Sequence, residues 1–186
     1  MENKIDRTLY WTVIAHQDWC LHIAATSKGL CYVGSPNQPL EQITKWAAIR
    51  LPDYSLVKDD AAMQPYAEEL SAFMQGTRQA FTVPVDCRGT EFQTSVWEAL
   101  RGIPYGQTRS YYDIALQIDR PAAVRAVGAA IGANPVLITV PCHRVIGKNG
   151  ALTGYRGGME MKTKLLELER SQPLAEGGLP HASPSA

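Results

Sequence analysis

The sequence predicts an α+β protein: a small N-terminal α/β domain over residues 1–88, then a mostly helical domain over residues 89–170. Three observations carry this. The first ninety residues hold short alternating apolar runs separated by turn residues, interleaved with two segments of helical periodicity. From Phe92 onward the 3.6-residue period dominates, with two helical stretches split by Asp119-Arg120-Pro121, the pattern of a helix-turn-helix. The last sixteen residues, 171–186, are rich in Pro, Gly, Ser and Ala and read as a disordered tail.

Taken in order, Leu9–Ala15, Trp19–Ala25 and Gly29–Val33 read as strands, divided at Asp18 and Lys28-Gly29. Leu40–Arg50 and Ala61–Gln75 read as helices. Phe81–Val85 reads as a strand that Pro84 confines to a sheet edge, and the polar stretch Asp86–Glu91 reads as the linker. Thr90 or Thr94 caps a helix carrying Phe92, Val96, Trp97 and Leu100, which Gly102 and Pro104 end. Ser110 caps a short helix with Ile114, Ala115 and Ile118; another runs from Arg120-Pro121 to Ile131. This second helix is built from Ala122, Ala123, Ala126, Gly128, Ala129, Ala130 and Gly132. Such small residues suit either close packing in a core or close approach to a groove. Val136–Val140 is an apolar run read as a buried strand ending at Pro141. A glycine-rich loop, 147–158, follows; it lacks the spacing of a phosphate-binding loop and reads as a pocket wall. Met159–Arg170 is the closing helix.

Composition narrows the function classes. In 186 residues no apolar run approaches a membrane span, and the N-terminus has no apolar signal core, so a cytoplasmic protein is expected. The four cysteines (20, 31, 87 and 142) form no CxxC pair and are expected to stay reduced. Net charge is zero but uneven: residues 1–91 carry eight basic and eleven acidic side chains, residues 92–170 ten basic and six acidic. The helical half is the basic half. That modest surplus fits salt-sensitive binding to a polyanion.

Residues 141–145, Pro-Cys-His-Arg-Val, carry the chemistry. A free cysteine is mostly protonated at neutral pH and attacks only as thiolate. An imidazole in reach, directly or through a water, takes the proton, and a neighbouring cation such as Arg144 favours the anion. On these residues alone a buried structural cysteine beside a chance histidine remains an equal reading.

The stretch from Phe92 to Glu169 resembles the catalytic domain of the O6-alkylguanine-DNA alkyltransferases (methylated-DNA–protein-cysteine methyltransferases). The matching runs are Phe92-Gln93, Val96-Trp97, Ile103-Pro104-Tyr105-Gly106, Ser110-Tyr111, Arg125-Ala126-Val127-Gly128, Asn134-Pro135, Pro141–Val145, Gly154-Tyr155 and Lys162…Leu165-Leu166…Glu169. Residues 1–91 match only loosely. The resemblance implies a ribonuclease H-like N-terminal domain and a winged helix-turn-helix catalytic domain. It implies a monomer that flips O6-alkylguanine out of double-stranded DNA and moves the alkyl group once to Cys142, with O4 of alkylthymine as a further substrate to consider.

It also implies a role for each site residue. His143 is the base acting through a water, Glu169 its orienting carboxylate, Tyr111 the donor to the guanine ring and Lys162 a supporting cation. The backbone carbonyls of Cys142 and Val145 take the exocyclic amine, Tyr155 is a pocket wall, and the Arg156 backbone N–H faces O6, its bulk bearing on which alkyl groups fit. Asn134 ties the helix-turn-helix to the active-site turn. Arg125 intercalates where the flipped nucleotide was, and Ala123, Ala126 and Gly128 let the helix press into the minor groove. Arg144 is structural. No cofactor is implied. Some relatives hold zinc, but Cys20, His22, Cys31 and Cys87 do not line up with those ligands, and no metal is expected. A non-catalytic recognition module would lack the cysteine, and a Cys-His hydrolase would turn over. A sensor protein of this family would carry a further cysteine-rich domain, so a stand-alone repair protein is expected.

Overall fold

The computed structural model describes residues 5–172; the expected tail lies outside them from residue 173 on. Strands β1 (Thr8–His16), β2 (Trp19–Thr26) and β3 (Gly29–Val33) form an antiparallel meander, and β4 (Ser55–Lys58) adds beside β1 in parallel, giving the order β3-β2-β1-β4. Period-2 alternation decides what each face buries. Ile14, Leu21, Ile23 and Leu30 face helix α2 (Asp60–Met74) and pack with Met63, Leu70 and Phe73. Leu9, Ala24 and Tyr32 face the other way, onto Ile43 and Ala47 of α1 (Glu41–Arg50), and the register shift between β2 and β3 brings Cys31 to that side as well. The α2 side continues into the core of the second half, so both halves share one apolar cluster.

In that second half, Thr90 caps α3 (Glu91–Arg101) in a reciprocal box with Gln93, and Ser110 caps α4 (Tyr111–Gln117) in another with Asp113. Helix α5 (Val124–Gly132) follows after Asp119, which bends the chain at φ 57°. The Trp97 indole N–H donates to Ala130 O at 2.8 Å, locking α3 to α5. Two-residue strands β5 (Arg109–Ser110) and β6 (Val145–Ile146) pair in parallel, and α6 (Met159–Ser171) closes the fold. Among the described residues no helix is long and apolar enough to cross a membrane.

Three expectations change. Phe81–Val85 is not a strand: only Val85 bridges to Leu30, because the Pro84 carbonyl accepts from Leu30 N–H at 2.9 Å while the proline ring has no N–H to continue a ladder. Helix α5 begins at Val124, three residues after Pro121. Val136–Val140 is a compact turn, not a strand. Thr139 N–H donates back to Leu137 O at 2.7 Å and Val140 N–H to Val136 O at 3.1 Å, with Ile138 at φ 68°. Its five residues are all buried, and a uniformly apolar run does not distinguish a strand from a buried turn. A β-branched residue in the left-handed region is strained. The strain sits four residues before Cys142.

Candidate active site

The buried turn delivers Cys142, His143 and Arg144 on one turn of 3-10 helix, between Pro141 and β6. Cys142 is 4% exposed and His143 fully buried. The Asn134 amide holds the turn: its Nδ2 donates to Val140 O at 2.9 Å and to Cys142 Sγ at 3.2 Å, and its Oδ1 accepts from Val136 N–H at 2.9 Å.

His143 Nε2 lies 2.7 Å from Glu169 Oε1. A carboxylate only accepts, so Nε2 carries the hydrogen and Nδ1 presents its lone pair. That Nδ1 is buried and bonds to no protein group among the described residues. Glu169 also accepts from Arg144 Nε at 3.0 Å and Nη2 at 2.8 Å, and from Gly106 N–H at 3.3 Å. Burial alone would raise the Glu169 carboxyl, but the bonds from His143 and Arg144 outweigh it and hold it down to about 2. Burial lowers His143 against the pull of Glu169. Burial also raises the Cys142 thiol, opposed by the Asn134 bond and by the charges of Arg156 and Lys162. At rest the pair is therefore a neutral thiol and a neutral imidazole. Arg144, expected from its position to favour the thiolate, is instead spent on Glu169 and on Ile103 O at 2.7 Å; Arg156 and Lys162 act on the sulfur.

Lys162, almost wholly buried on α6, donates to Val145 O at 2.7 Å and Thr153 O at 3.3 Å. The Val145 carbonyl, expected to face the base, is thus already engaged through one lone pair. Tyr111 is half-buried and its phenol oxygen is 2.5 Å from Thr153 Oγ1, whereas Tyr112 is exposed beneath Lys148. Tyr155 buries its hydroxyl next to the turn. Gly157 lets this wall close: a Cβ there would lie 2.6 Å from the Tyr155 ring and 2.7 Å from Met161 Sδ. The Arg156 side chain enters the junction with β3, donating to Asn134 O and Val33 O. Among the described residues no three His, Cys, Asp or Glu side chains gather as a metal site.

Comparison with known proteins gives this arrangement a family. Residues 9–87 match the model for the 6-O-methylguanine DNA methyltransferase ribonuclease-like domain, and residues 91–171 that for its DNA binding domain. The inducible methylated-DNA–protein-cysteine methyltransferase of Bacillus subtilis is 60% identical over 174 residues, 94% of this chain and 97% of that one. The chain belongs to the methylated-DNA–protein-cysteine methyltransferase family. Among solved structures of this family, the Mycobacterium tuberculosis O6-methylguanine methyltransferase superposes with TM-score 0.78 at 41% identity, covering 90% of this chain and 96% of that one. The crystal structure of the M. tuberculosis protein in complex with DNA gives 0.74 at 41%, with the same coverage.

Within this methyltransferase fold, α5 turns Val127, Ala130 and Ile131 inward and leaves Arg125, Ala126, Ala129 and Gly132 exposed, with Ala122 exposed just before it. Arg125 has no hydrogen-bond or ion-pair partner among the described residues. Ala123 is half-buried at the helix N-cap. Gly128 is half-buried, and a Cβ there would meet the Tyr111 ring at 3.7 Å. Sequence reasoning missed Thr153 as the partner of Tyr111 and Gly106 N–H as a donor to Glu169. Neither has a local signal, since both contacts span more than forty positions.

Proposed function

We propose that this chain repairs DNA by direct reversal, moving the alkyl group of O6-alkylguanine in a duplex irreversibly to Cys142 Sγ. The observation that carries this is the buried Cys142–His143–Glu169 set with the Asn134 amide on the sulfur. The exposed small-residue face of α5 suits close approach to the minor groove, and Arg125 is free to enter the stack in place of the flipped nucleotide.

His143 Nδ1 takes the thiol proton through a water. Sulfur then forms its bond to the alkyl carbon as the carbon–O6 bond breaks and its electron pair passes to the guanine. The Tyr111 phenol supplies a proton to the ring, and the imidazolium returns one, so in sum the thiol proton ends on guanine. Stabilising the departing base is where donors gain most, because charge develops there in the transition state. The thioether has no leaving group, so each molecule acts once, as a cytoplasmic monomer and without a cofactor.

Incubation with O6-methylguanine duplex followed by intact mass and peptide mapping tests this. One methyl per chain on the Cys142 peptide is expected; a plateau well above one methyl per chain sinks single use. Arg125→Ala should slow repair of the duplex far more than reaction with free O6-benzylguanine, since only the duplex needs a base flipped. Equal losses on both would assign Arg125 to the fold or the chemistry instead. The methylated protein should also melt several degrees lower. Overfilling a packed site costs about 1–3 kcal/mol, and the Asn134 amide loses its sulfur acceptor geometry. An unchanged melting temperature would refute this.

A further inference from the structure

The Arg156 side chain bridges the two halves of the molecule. Its Nη2 donates to Val33 O of β3 at 2.7 Å and to Pro135 O at 3.1 Å, and its Nε donates to Asn134 O at 3.0 Å. Its guanidinium carbon lies 5.4 Å from the centre of the Tyr32 ring on β3. Its own carbonyl accepts from Ser35 Oγ at 2.9 Å. Beside it, Val33 N–H donates to Pro135 O at 2.9 Å. Every one of these partners is β3, the residues just after it, or the Asn134-Pro135 segment. The residue whose peptide oxygen it holds, Asn134, is also the one whose amide lies 3.2 Å from the Cys142 sulfur.

We infer that Arg156 is a positioning residue for alkyl transfer: from a footing on β3 it fixes the Asn134 peptide and its own positive charge against Cys142. Thiol activation in the second half thereby depends on the first. The inference rests on the reading of Cys142 as the alkyl acceptor.

Several groups face that sulfur. The Asn134 amide donates to it; His143 is its neighbour in the turn; Tyr155 and Arg156 come from the loop and Lys162 from α6. Burial keeps the Tyr155 phenol neutral and pushes the Lys162 ammonium down. Arg156 adds a second positive charge toward that sulfur, carried on a planar guanidinium. Only a planar fork reaches three carbonyls on two segments at once; an ammonium at the same place supplies the charge without the fork.

Arg156→Gln and Arg156→Lys separate charge from clamp. The readout is the pH–rate profile of Cys142 carbamidomethylation by iodoacetamide, followed on the Cys142 peptide. Single-turnover repair of O6-methylguanine duplex and thermal melting are measured alongside. For Arg156→Gln the profile should move to higher pH, with Cys142 reacting about threefold to tenfold more slowly at neutral pH. Arg156→Lys should restore most of that profile yet still melt lower and repair more slowly than the parent. A glutamine variant whose Cys142 profile overlays the parent's would overturn the inference even if its melting temperature fell. Should glutamine prevent folding, a lysine variant that repairs and melts like the parent overturns it instead. If the parent takes no methyl from DNA, the reading of function fails, while the iodoacetamide profiles still decide the role of Arg156.

Discussion

A Cys142→Ala protein should take no methyl group from O6-methylguanine duplex while keeping its fold and its grip on the lesion. The sulfur is the atom that forms the new bond, and none of the other three cysteines is suited to substitute. Cys31 is buried, its Sγ 3.5 Å from Ala24 O, and burial drives its thiol far up. Burial likewise pushes Cys87 up to about 12. Cys20 is exposed on β2, away from the turn. Deleting the sulfur removes one weak bond from Asn134 and leaves a small void, a cost of about 1 kcal/mol, too little to unfold a domain of ordinary stability. The variant should therefore behave as a lesion-binding module without chemistry. Measuring methyl transfer and duplex binding side by side checks this. Transfer retained by the variant would place the acceptor elsewhere, and loss of both transfer and melting transition would make Cys142 structural.

Glu169→Gln should be the most destabilising conservative change in the site. The carboxylate is 2% exposed and receives His143, Arg144 and Gly106. Glutamine keeps the volume but brings an NH2 where an acceptor stood, and it leaves the Arg144 cation buried without its counter-charge. Breaking a buried pair from one side costs about 3–5 kcal/mol, on the order of a 10 °C drop in melting temperature for a chain of this size. The pH dependence follows from the depressed carboxyl. Held down to about 2 when folded, against an ordinary carboxyl value of 4.5, Glu169 contributes stability that is complete above the unfolded value. That contribution is lost as pH falls toward 2, and amounts to roughly 3 kcal/mol. Burial of neutral His143 adds a loss of the same sign as pH falls below its unfolded value. Because Glu169 also holds His143 up, parent and glutamine variant are compared in a His143→Gln background, where the variant loses the carboxylate part alone. Urea midpoints at pH 5 and pH 3 should therefore differ less in the variant than in the parent; an equal difference would show that Glu169 is not the group responsible. Alkyl transfer should fall by on the order of tenfold or more, because an imidazole without its orienting carboxylate is a poorer base.

Much of this architecture is legible in the chain because it is local. Alternation marks β1 to β3, and two reciprocal caps, Thr90 with Gln93 and Ser110 with Asp113, mark the starts of α3 and α4. The Cys142-His143 dipeptide announces its chemistry at once. Glu169 does not; twenty-six positions from His143, it could be named only through family resemblance. What stayed hidden is non-local. β4 has four residues, none of them buried, and gains its strand character only by lying beside β1. Arg144 looks like support for the thiolate until the fold pairs it with Glu169. Arg156 looks like a pocket residue until its reach of 123 positions to Val33 is seen. The apolar run before Pro141 misleads for a different reason: burial on all sides erases the periodicity that separates a strand from a turn.

The outer flank of β3 has a further consequence. All five of its residues are buried, yet among the described residues no strand lies beyond it. Two prolines finish that flank: Pro84 O takes Leu30 N–H and Pro135 O takes Val33 N–H. A proline accepts a hydrogen bond but offers none, so each seals the sheet at its point of contact and gives no template for another strand. One seal comes from the end of the N-terminal half itself and the other from the segment after α5. An N-terminal half made alone would keep the Pro84 seal but lose the one from Pro135, leaving the Val33 end of β3 open, the kind of margin on which chains stack against their own copies. The second half thus finishes an edge that the first leaves open, through the single carbonyl of Pro135, one hundred and two residues from Val33 in sequence.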